Sequence, residues 1–252
     1  MEERITSRKN PLLVQVRKLL SSRSERLGQG LFVCDGTKLL AEAAQYAPKT
    51  LHTVILADGV ETCPLPASVR VVRVPGDVME SISPMRSPQG AVFLCRLPQA
   101  ASLSVRPGML ILDGVQDPGN VGTILRTADA MDVPVVLTEG SADPYSWKAA
   151  RATMGAIFRR PPSIANWQSV VNACKAAQIP LAAAALTETA KDIRDSHLAN
   201  CAVIIGSEGQ GIRKELLEVC DETLIIPMNA QCESLNAAVA AAIVLWEMRR
   251  NK

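Results

Sequence analysis

The sequence predicts an α/β fold built on a parallel sheet, and three observations predict it. Short β-branched and aliphatic runs alternate with amphipathic segments, the pattern of a sheet covered by helices on both faces. Three of those runs empty into loops of Gly, Asn, Ser and acidic residues that lead into helical patterns. These are residues 110–115 into Gln116-Asp117-Pro118-Gly119-Asn120-Val121-Gly122, residues 202–205 into Gly206-Ser207-Glu208-Gly209-Gln210-Gly211, and Ile225-Ile226 into the stretch from Pro227 to Asn236. Apolar residues make up 48% of the 252, enough for a packed core. In open parallel sheets ligands bind beyond the carboxyl ends of the strands, so three such loops point to one composite pocket.

In chain order, basic residues outnumber acidic ones from Arg4 to Arg26. Within that stretch Leu12, Leu13, Val16, Leu19 and Leu20 recur at helical spacing after Pro11, giving an amphipathic helix with a cationic outer face. Pattern alone leaves that face open between a solvated surface and a contact for RNA phosphates. A strand at 31–34, a helix around 39–43, strands at 53–57 and 69–74, a short helix at 78–82 and a strand at 91–95 complete a small α/β unit. A Pro- and Ser-containing connection then sets the expected organisation: a domain at 1–97, a linker at 98–107 and a domain at 108–252. The second domain alternates strand 109–115, helix 121–131, strand 133–138, helices 147–154 and 170–177, strands 181–186 and 201–205, helix 213–220, strand 223–226 and helix 235–248.

Composition removes several function classes. A formal charge of +2 provides no global field for nucleic acid, so such binding needs local basic clusters. Seven scattered cysteines without CxxC pairs or a histidine cluster read as reduced thiols and not as a disulfide framework or metal site. With His52 and His197 the only histidines, histidine-based catalysis has little support. The acidic N-terminus lacks a targeting pattern and no apolar run approaches the ~20 residues of a membrane helix, so the expected home is the cytoplasm, with no membrane partner. The first loop matches neither a P-loop nor G-x-G-x-x-G. Glu208 in the second loop would repel a phosphate, which leaves a neutral or cationic ligand.

The polar candidates are Asn120, Arg126, Ser207, Glu208, Ser234 and Asn236. Each has a mundane alternative: Asn120 as a helix N-cap, Arg126 as an exposed helix residue, Glu208 in a solvated turn, Ser234 capping the last helix and Asn236 in its first turn. Their order along the chain is more specific. The stretch Leu112-Asp113-Gly114-Val115-Gln116-Asp117-Pro118-Gly119-Asn120-Val121-Gly122-Thr123-Ile124-Leu125-Arg126-Thr127-Ala128 resembles the first motif of the SpoU (TrmH-like) RNA 2′-O-ribose methyltransferases. Ile205-Gly206-Ser207-Glu208-Gly209-Gln210-Gly211-Ile212 is similar to the second motif, and Ile226-Pro227-Met228 through Glu233-Ser234-Leu235-Asn236 to the third. Upstream, Phe32-Val33-Cys34-Asp35-Gly36-Thr37-Lys38-Leu39-Leu40 resembles the RNA-binding domain that often precedes them, with Asp35 where relatives usually carry Glu. Arg151-Ala152-Thr153-Met154-Gly155-Ala156 also resembles a family segment, and Ala230 and Cys232 stand where relatives often have Gly and an aliphatic residue.

That resemblance implies a SPOUT-type parallel sheet with a C-terminal trefoil knot, preceded by a small α/β RNA-binding domain. It implies S-adenosyl-L-methionine held near Gly206, Ile226, Met228, Ser234 and Leu235, with no metal, and a homodimer whose active site draws on both subunits. It makes Arg126 the central catalytic residue, assisted by Asn120, Glu208, Ser234 and Asn236, and makes a structured ribosomal or transfer RNA the partner. The rival expectation is a knotted RNA-binding or ribosome-assembly protein without efficient catalysis. Cys232 and the tryptophans Trp147, Trp167 and Trp246 are expected to be structural, as a buried small residue and as core or dimer-interface anchors respectively, and His197 to lie on the surface.

Overall fold

The computed structural model describes residues 3–99, 103–229, 231, 232 and 234–250. Two units organise it, Met1–Gln99 with Tyr145–Arg159, and Ala100–Pro144 with Arg160–Lys252.

In the first unit the chain runs β1 (Glu3–Arg4), α1 (Pro11–Ser21), α2 (Arg23–Gln29), β2 (Leu31–Asp35), α3 (Thr37–Tyr46), β3 (Leu51–Ala57), β4 (Arg70–Val74), α4 (Gly76–Glu80) and β5 (Ala91–Arg96). Asn10 caps α1 by accepting from the Leu12 amide at 2.9 Å, and the helix buries Leu12, Leu13, Val16 and Leu19 as its periodicity requires. The expected helix is therefore α1, and Ser22 ends it and caps a second helix, α2, that was not expected. Part of the basic stretch from Arg4 to Arg26 is engaged within the unit. Arg26 is buried and donates to the Leu19 carbonyl at 2.7 Å, while Arg4 and Arg8 pair with Asp58 and Asp77. The five strands form a mixed sheet in the order β1-β4-β3-β5-β2, with β5 antiparallel to both neighbours.

Residues Tyr145–Arg159 belong to this unit, although the sequence reading kept them with the second domain. They form α6 (Trp147–Ala152) and α7 (Ala156–Arg159). The attachment is aromatic: Phe32 of β2 lies 5.1 Å from the Tyr145 ring and 6.3 Å from that of Phe158.

The second unit consists of β6 (Met109–Asp113), α5 (Pro118–Ala130), β7 (Val135–Leu137), β8 (Ser163–Ile164), α8 (Trp167–Ala176), β9 (Leu181–Ala184), β10 (Lys191–Asp192), β11 (Ala202–Gly206), α9 (Lys214–Leu217), β12 (Glu222–Ile225) and α10 (Ala237–Arg249). Its seven strands are all parallel, in the order β10-β12-β9-β11-β6-β7-β8. The parallel sheet expected from alternation is therefore present. The short edge strands β8 and β10, like β1 of the first unit, escaped the sequence reading, since two residues carry no periodicity. Gly206 stands in register with Asp113, which places the loops after β6 and β11 side by side at the carboxyl edge. The core beneath them is aliphatic, with Met109, Ile111, Leu181, Ile204 and Val170 buried. No helix among the described residues is long and apolar enough to cross a membrane.

Candidate functional site

Asp117, and not Asn120, caps α5: its Oδ1 accepts from the Asn120 amide at 2.7 Å. That puts Asn120 in the first turn with its carboxamide free for other partners. Its Nδ2 donates to Glu208 Oε1 at 2.6 Å, and its Oδ1 accepts from Asn236 Nδ2 at 3.1 Å. Asn236 caps α10, its Oδ1 accepting from the Ala238 and Val239 amides at 2.9 and 3.3 Å. One hydrogen-bonded chain thus runs through all three loops. It also fixes both amides, since Asn236 spends its oxygen on the helix and has only its nitrogen to offer Asn120.

The loop carrying Glu208 is a tight hairpin. Ser207 and Gly211 exchange backbone hydrogen bonds of 2.9 and 3.0 Å, and Ser207 Oγ accepts from the Gln210 amide at 3.2 Å. A Cβ on Gly206 would overlap the backbone of Gly211 and Ile212, so only glycine lets the strand turn back on itself here. A connection that sequence reasoning missed bolts this hairpin to the first loop. Asp113, 3% exposed at the end of β6, accepts from the Arg213 amide at 2.9 Å, from Arg213 Nε at 2.7 Å and from the Thr138 hydroxyl at 2.7 Å. Arg213 also donates to the Glu139 carbonyl at 2.9 Å and lies over the Trp167 ring, 5.9 Å from its centroid.

Beside the hydrogen-bonded chain lies a cleft of about 380 Å³ lined by Leu186, Ile205, Gly206, Glu208, Ser234 and Leu235, among others. A smaller cavity of about 130 Å³ shares Leu186, Ser234 and Leu235 with it and adds Ile226 and Met228. All five residues expected near a cofactor therefore line one or both of these neighbouring cavities. Leu186 was not anticipated. The loop after β9 brings it in, and its 63% exposure leaves an aliphatic side chain free to cover a ligand. Among the described residues that line the larger cleft Glu208 is the single charged one, so these walls suit a neutral or cationic molecule with an aromatic portion. A sulfonium-bearing nucleoside has that character.

Other expectations are placed less centrally. Arg126 is exposed on α5, six residues beyond Asn120 and hence ~9 Å further along the axis. It makes no hydrogen bond or ion pair to any other described residue and is not joined to the Asn120 chain. Ser234 is exposed and does not cap α10, a role Asn236 takes. Cys232 is exposed where a buried small residue was expected, and His197 is exposed as anticipated. Ala230 and Glu233 lie outside the described residues. No tryptophan is fully buried: Trp147 and Trp167 are intermediate, and Trp246 is 60% exposed on α10. Trp246, Val239 and Ile243 share an open face with Thr123 and Thr127 of α5.

Residues 107–246 match the SpoU rRNA Methylase family, and residues 10–92 match the MRM3-like substrate binding domain. The chain is similar to the 23S rRNA (guanosine(2553)-2'-O)-methyltransferase RlmP of Bacillus subtilis (strain 168), with 32% identity covering 98% of this chain and 99% of that protein. It is also similar to the 23S rRNA (uridine(2479)-2'-O)-methyltransferase of Streptomyces viridochromogenes, with 29% identity covering 99% and 92%. Among solved structures, the AdoMet-bound rRNA methyltransferase of Sinorhizobium meliloti superposes with a TM-score of 0.86 at 29% identity, covering 99% of this chain and 98% of that one.

Proposed function

The chain belongs to the SpoU rRNA Methylase family, and from that membership we propose how its second unit carries out S-adenosylmethionine-dependent methylation of an RNA ribose 2′-oxygen. The observation that carries the proposal is the Asn236–Asn120–Glu208 chain standing beside a cleft in which Glu208 is the single charged residue among the described ones. Gly206, Ile226, Met228, Ser234 and Leu235 would hold the cofactor. Backbone groups of the loops would meet the adenosyl portion, and the Glu208 carboxylate favours a cation nearby. When bound, the cofactor supplies a methyl group activated by positively charged sulfur.

The chain's own residues supply orientation and charge. Asn120 and Asn236, locked end to end, present fixed polar edges to a ribose and hold it in one pose. Arg126 takes the phosphate of the target nucleotide and stabilises charge developing on the 2′-oxygen. A guanidinium is a poor proton acceptor, so the hydroxyl proton passes to an oxygen of that phosphate.

The ~9 Å between Asn120 and Arg126 along α5 supports a site shared between two copies of the chain, each lending Arg126 to the other's loops. The exposed apolar face of Trp246, Val239 and Ile243 supports a homodimer formed through α5 and α10. A trefoil knot agrees with the strand order, in which β9 lies between β11 and β12 and the chain must cross it before entering α10. Residues 1–97 select the RNA, a reading supported by the substrate-binding match at 10–92. The two relatives above act, by name, on 23S rRNA, which makes large-subunit ribosomal RNA the favoured substrate. Seven free cysteines agree with a reducing cytoplasm.

The test is methyl transfer from labelled S-adenosylmethionine to RNA from a strain lacking the protein, followed by alkaline hydrolysis. The expected result is label in alkali-resistant dinucleotides of ribosomal RNA, because a methylated 2′-oxygen cannot assist backbone cleavage. Label on a base, or none in any RNA or intact ribosomal subunit, would overturn it.

A further inference from the structure

One segment singled out in the sequence has no part in that mechanism. Arg151 to Ala156 lies in the first unit, where Arg151 and Met154 line a cavity of about 490 Å³ with Asp35, Lys38, Leu39, Gln89 and Glu42, whose carboxylate is paired with Arg159. Asp35 is a carboxylate only 5% exposed. It accepts from the Ser83 hydroxyl at 2.7 Å and from Arg151 Nη1 at 3.3 Å. Burial pushes its carboxyl up from the ordinary range, against the opposing effects of Ser83 and Arg151.

Burying a carboxylate whose one cationic partner is a partly exposed arginine at 3.3 Å, with a serine hydroxyl beside it, is a poor way to stabilise a fold. It is a good way to aim that arginine. One of its five N–H donors goes to Asp35, the others make no hydrogen bond to a described residue, and Arg151 lines the cavity. The backbone around it is unusual as well. Met154 adopts φ 49°, a left-handed conformation rare for a side chain of its size, and is 50% exposed. Gly155 beside it has φ 94°, and Gly36 has φ 110° where a Cβ would lie 2.5 Å from Gln89 Oε1. The two glycines adopt positive φ without strain, but strain such as that of Met154 gathers at binding sites, where a side chain is held in place for a ligand.

Lys38 and the free arm of Arg151 suit an anionic phosphate. The exposed thioether of Met154 and the side chain of Leu39 offer apolar surface to a flat ring. The Gln89 amide can both donate to and accept from a base edge. These requirements meet in one molecule, and on the reading that the substrate is RNA we infer that this cavity takes a single unstacked nucleotide of that RNA, its phosphate on Lys38 and Arg151 and its base against Met154. The first unit then recognises its target by capturing a nucleotide, without the aromatic platform that a chain of 3% aromatic content lacks.

The test uses the full chain and deproteinised ribosomal RNA from a strain lacking it. Lys38→Ala and Gln89→Ala change exposed side chains that are no part of the methyl-transfer loops. Each is expected to raise the Kd and KM for RNA about tenfold, leaving S-adenosylmethionine affinity and kcat at saturating RNA unchanged. For Lys38→Ala the slope of log K against log salt should fall by nearly one. Arg151→Gln is made in an Asp35→Asn background so that no buried charge is stranded, and is expected to weaken RNA binding at least as much. Ultraviolet crosslinking should place RNA on the peptide containing Met154.

Unchanged RNA affinity in Lys38→Ala and Gln89→Ala, with a wild type that binds and methylates, overturns the inference and leaves the proposed function standing. A fall in kcat with Kd and KM unchanged also overturns it, since the residues would then act on structure alone. So would displacement of a fluorescent mononucleotide from the cavity with no effect on RNA affinity, which would assign it to free nucleotides. A wild type that neither binds nor methylates RNA overturns both readings.

Discussion

Replacing Asn120 by aspartate reverses one end of the hydrogen bond that joins the first and second loops. The amide nitrogen donating to Glu208 Oε1 at 2.6 Å becomes a carboxylate oxygen facing a carboxylate. The loss of a charge-assisted hydrogen bond costs about 1.5 kcal/mol. Because Glu208 is exposed, the repulsion is scaled with a water-like dielectric, which at that separation gives ~1.6 kcal/mol. The contact from Asn236 survives, since the substituted side chain keeps an oxygen at the Oδ1 position to accept it. A total of about 3 kcal/mol, if expressed in the transition state, is about two orders of magnitude in kcat. The fold should be little affected, because no buried group is involved. The informative companion is Asn120→Asp with Glu208→Gln, in which the glutamine amide donates to the new carboxylate and the bond returns with its polarity reversed. Initial rates of labelled methyl transfer at saturating RNA and cofactor, with circular dichroism and calorimetric cofactor binding as controls, measure all corners of the cycle. The double variant should recover at least tenfold over Asn120→Asp. If Asn120→Asp keeps its rate within about threefold, the bond does not organise the site. If the double variant is no faster than the single, the Glu208 carboxylate has a direct role and the positioning argument fails.

Four further outcomes follow from the same geometry. Arg213→Met strands the buried Asp113 carboxylate and should lower stability by about 2–4 kcal/mol in urea titration, with Asp113→Asn added to it recovering part of the loss; a change under about 0.5 kcal/mol would remove the bolt from the account. Trp246→Lys should shift sedimentation from dimer to monomer and abolish turnover, and mixing inactive Arg126→Ala with inactive Asn120→Asp should restore about a quarter of wild-type activity, because half the dimers would then carry one intact shared site. Cys232 should be the first thiol to react with an alkylating reagent at neutral pH, whereas burial with nearby carboxylates pushes Cys220 up to about 12 and Cys201 up to about 11; rapid labelling of either by peptide mass spectrometry would contradict their placement. Asp35, its carboxyl raised by burial, binds a proton more tightly folded than unfolded, so its contribution to stability falls as pH rises from the ordinary value of 3.8 through the raised one; Asp35→Asn should flatten that slope in urea titrations across mildly acidic pH, and an unaltered slope would refute it.

The parallel sheet and the three loops were legible because both leave local marks. Strands at β6 and β11 are unbroken aliphatic runs, and the loops after them carry glycine where the backbone must turn, most visibly at Gly206, which leaves no room for a Cβ. The joints between loops left no such mark. Asp113 and Arg213 are separated by 100 positions and meet only because β6 and β11 are sheet neighbours. Asp117 and Asn120 are both good capping residues three positions apart, and nothing short of the backbone path decides which one caps α5. The docking of 145–159 on the first unit was hidden for a related reason, since a helix's composition states that it has a buried face and not which sheet covers it. In Asn236 an ordinary capping role and a role in the site do not compete. Its oxygen is fully committed to the amides of α10, an ordinary cap, and that commitment leaves the nitrogen as the only group it can turn to Asn120. The cap is therefore what sets the polarity of the whole chain from α10 to Glu208. Removing it with Asn236→Ala should cost cap stability and site order together, whereas Asn236→Asp should keep the cap and lose the donor.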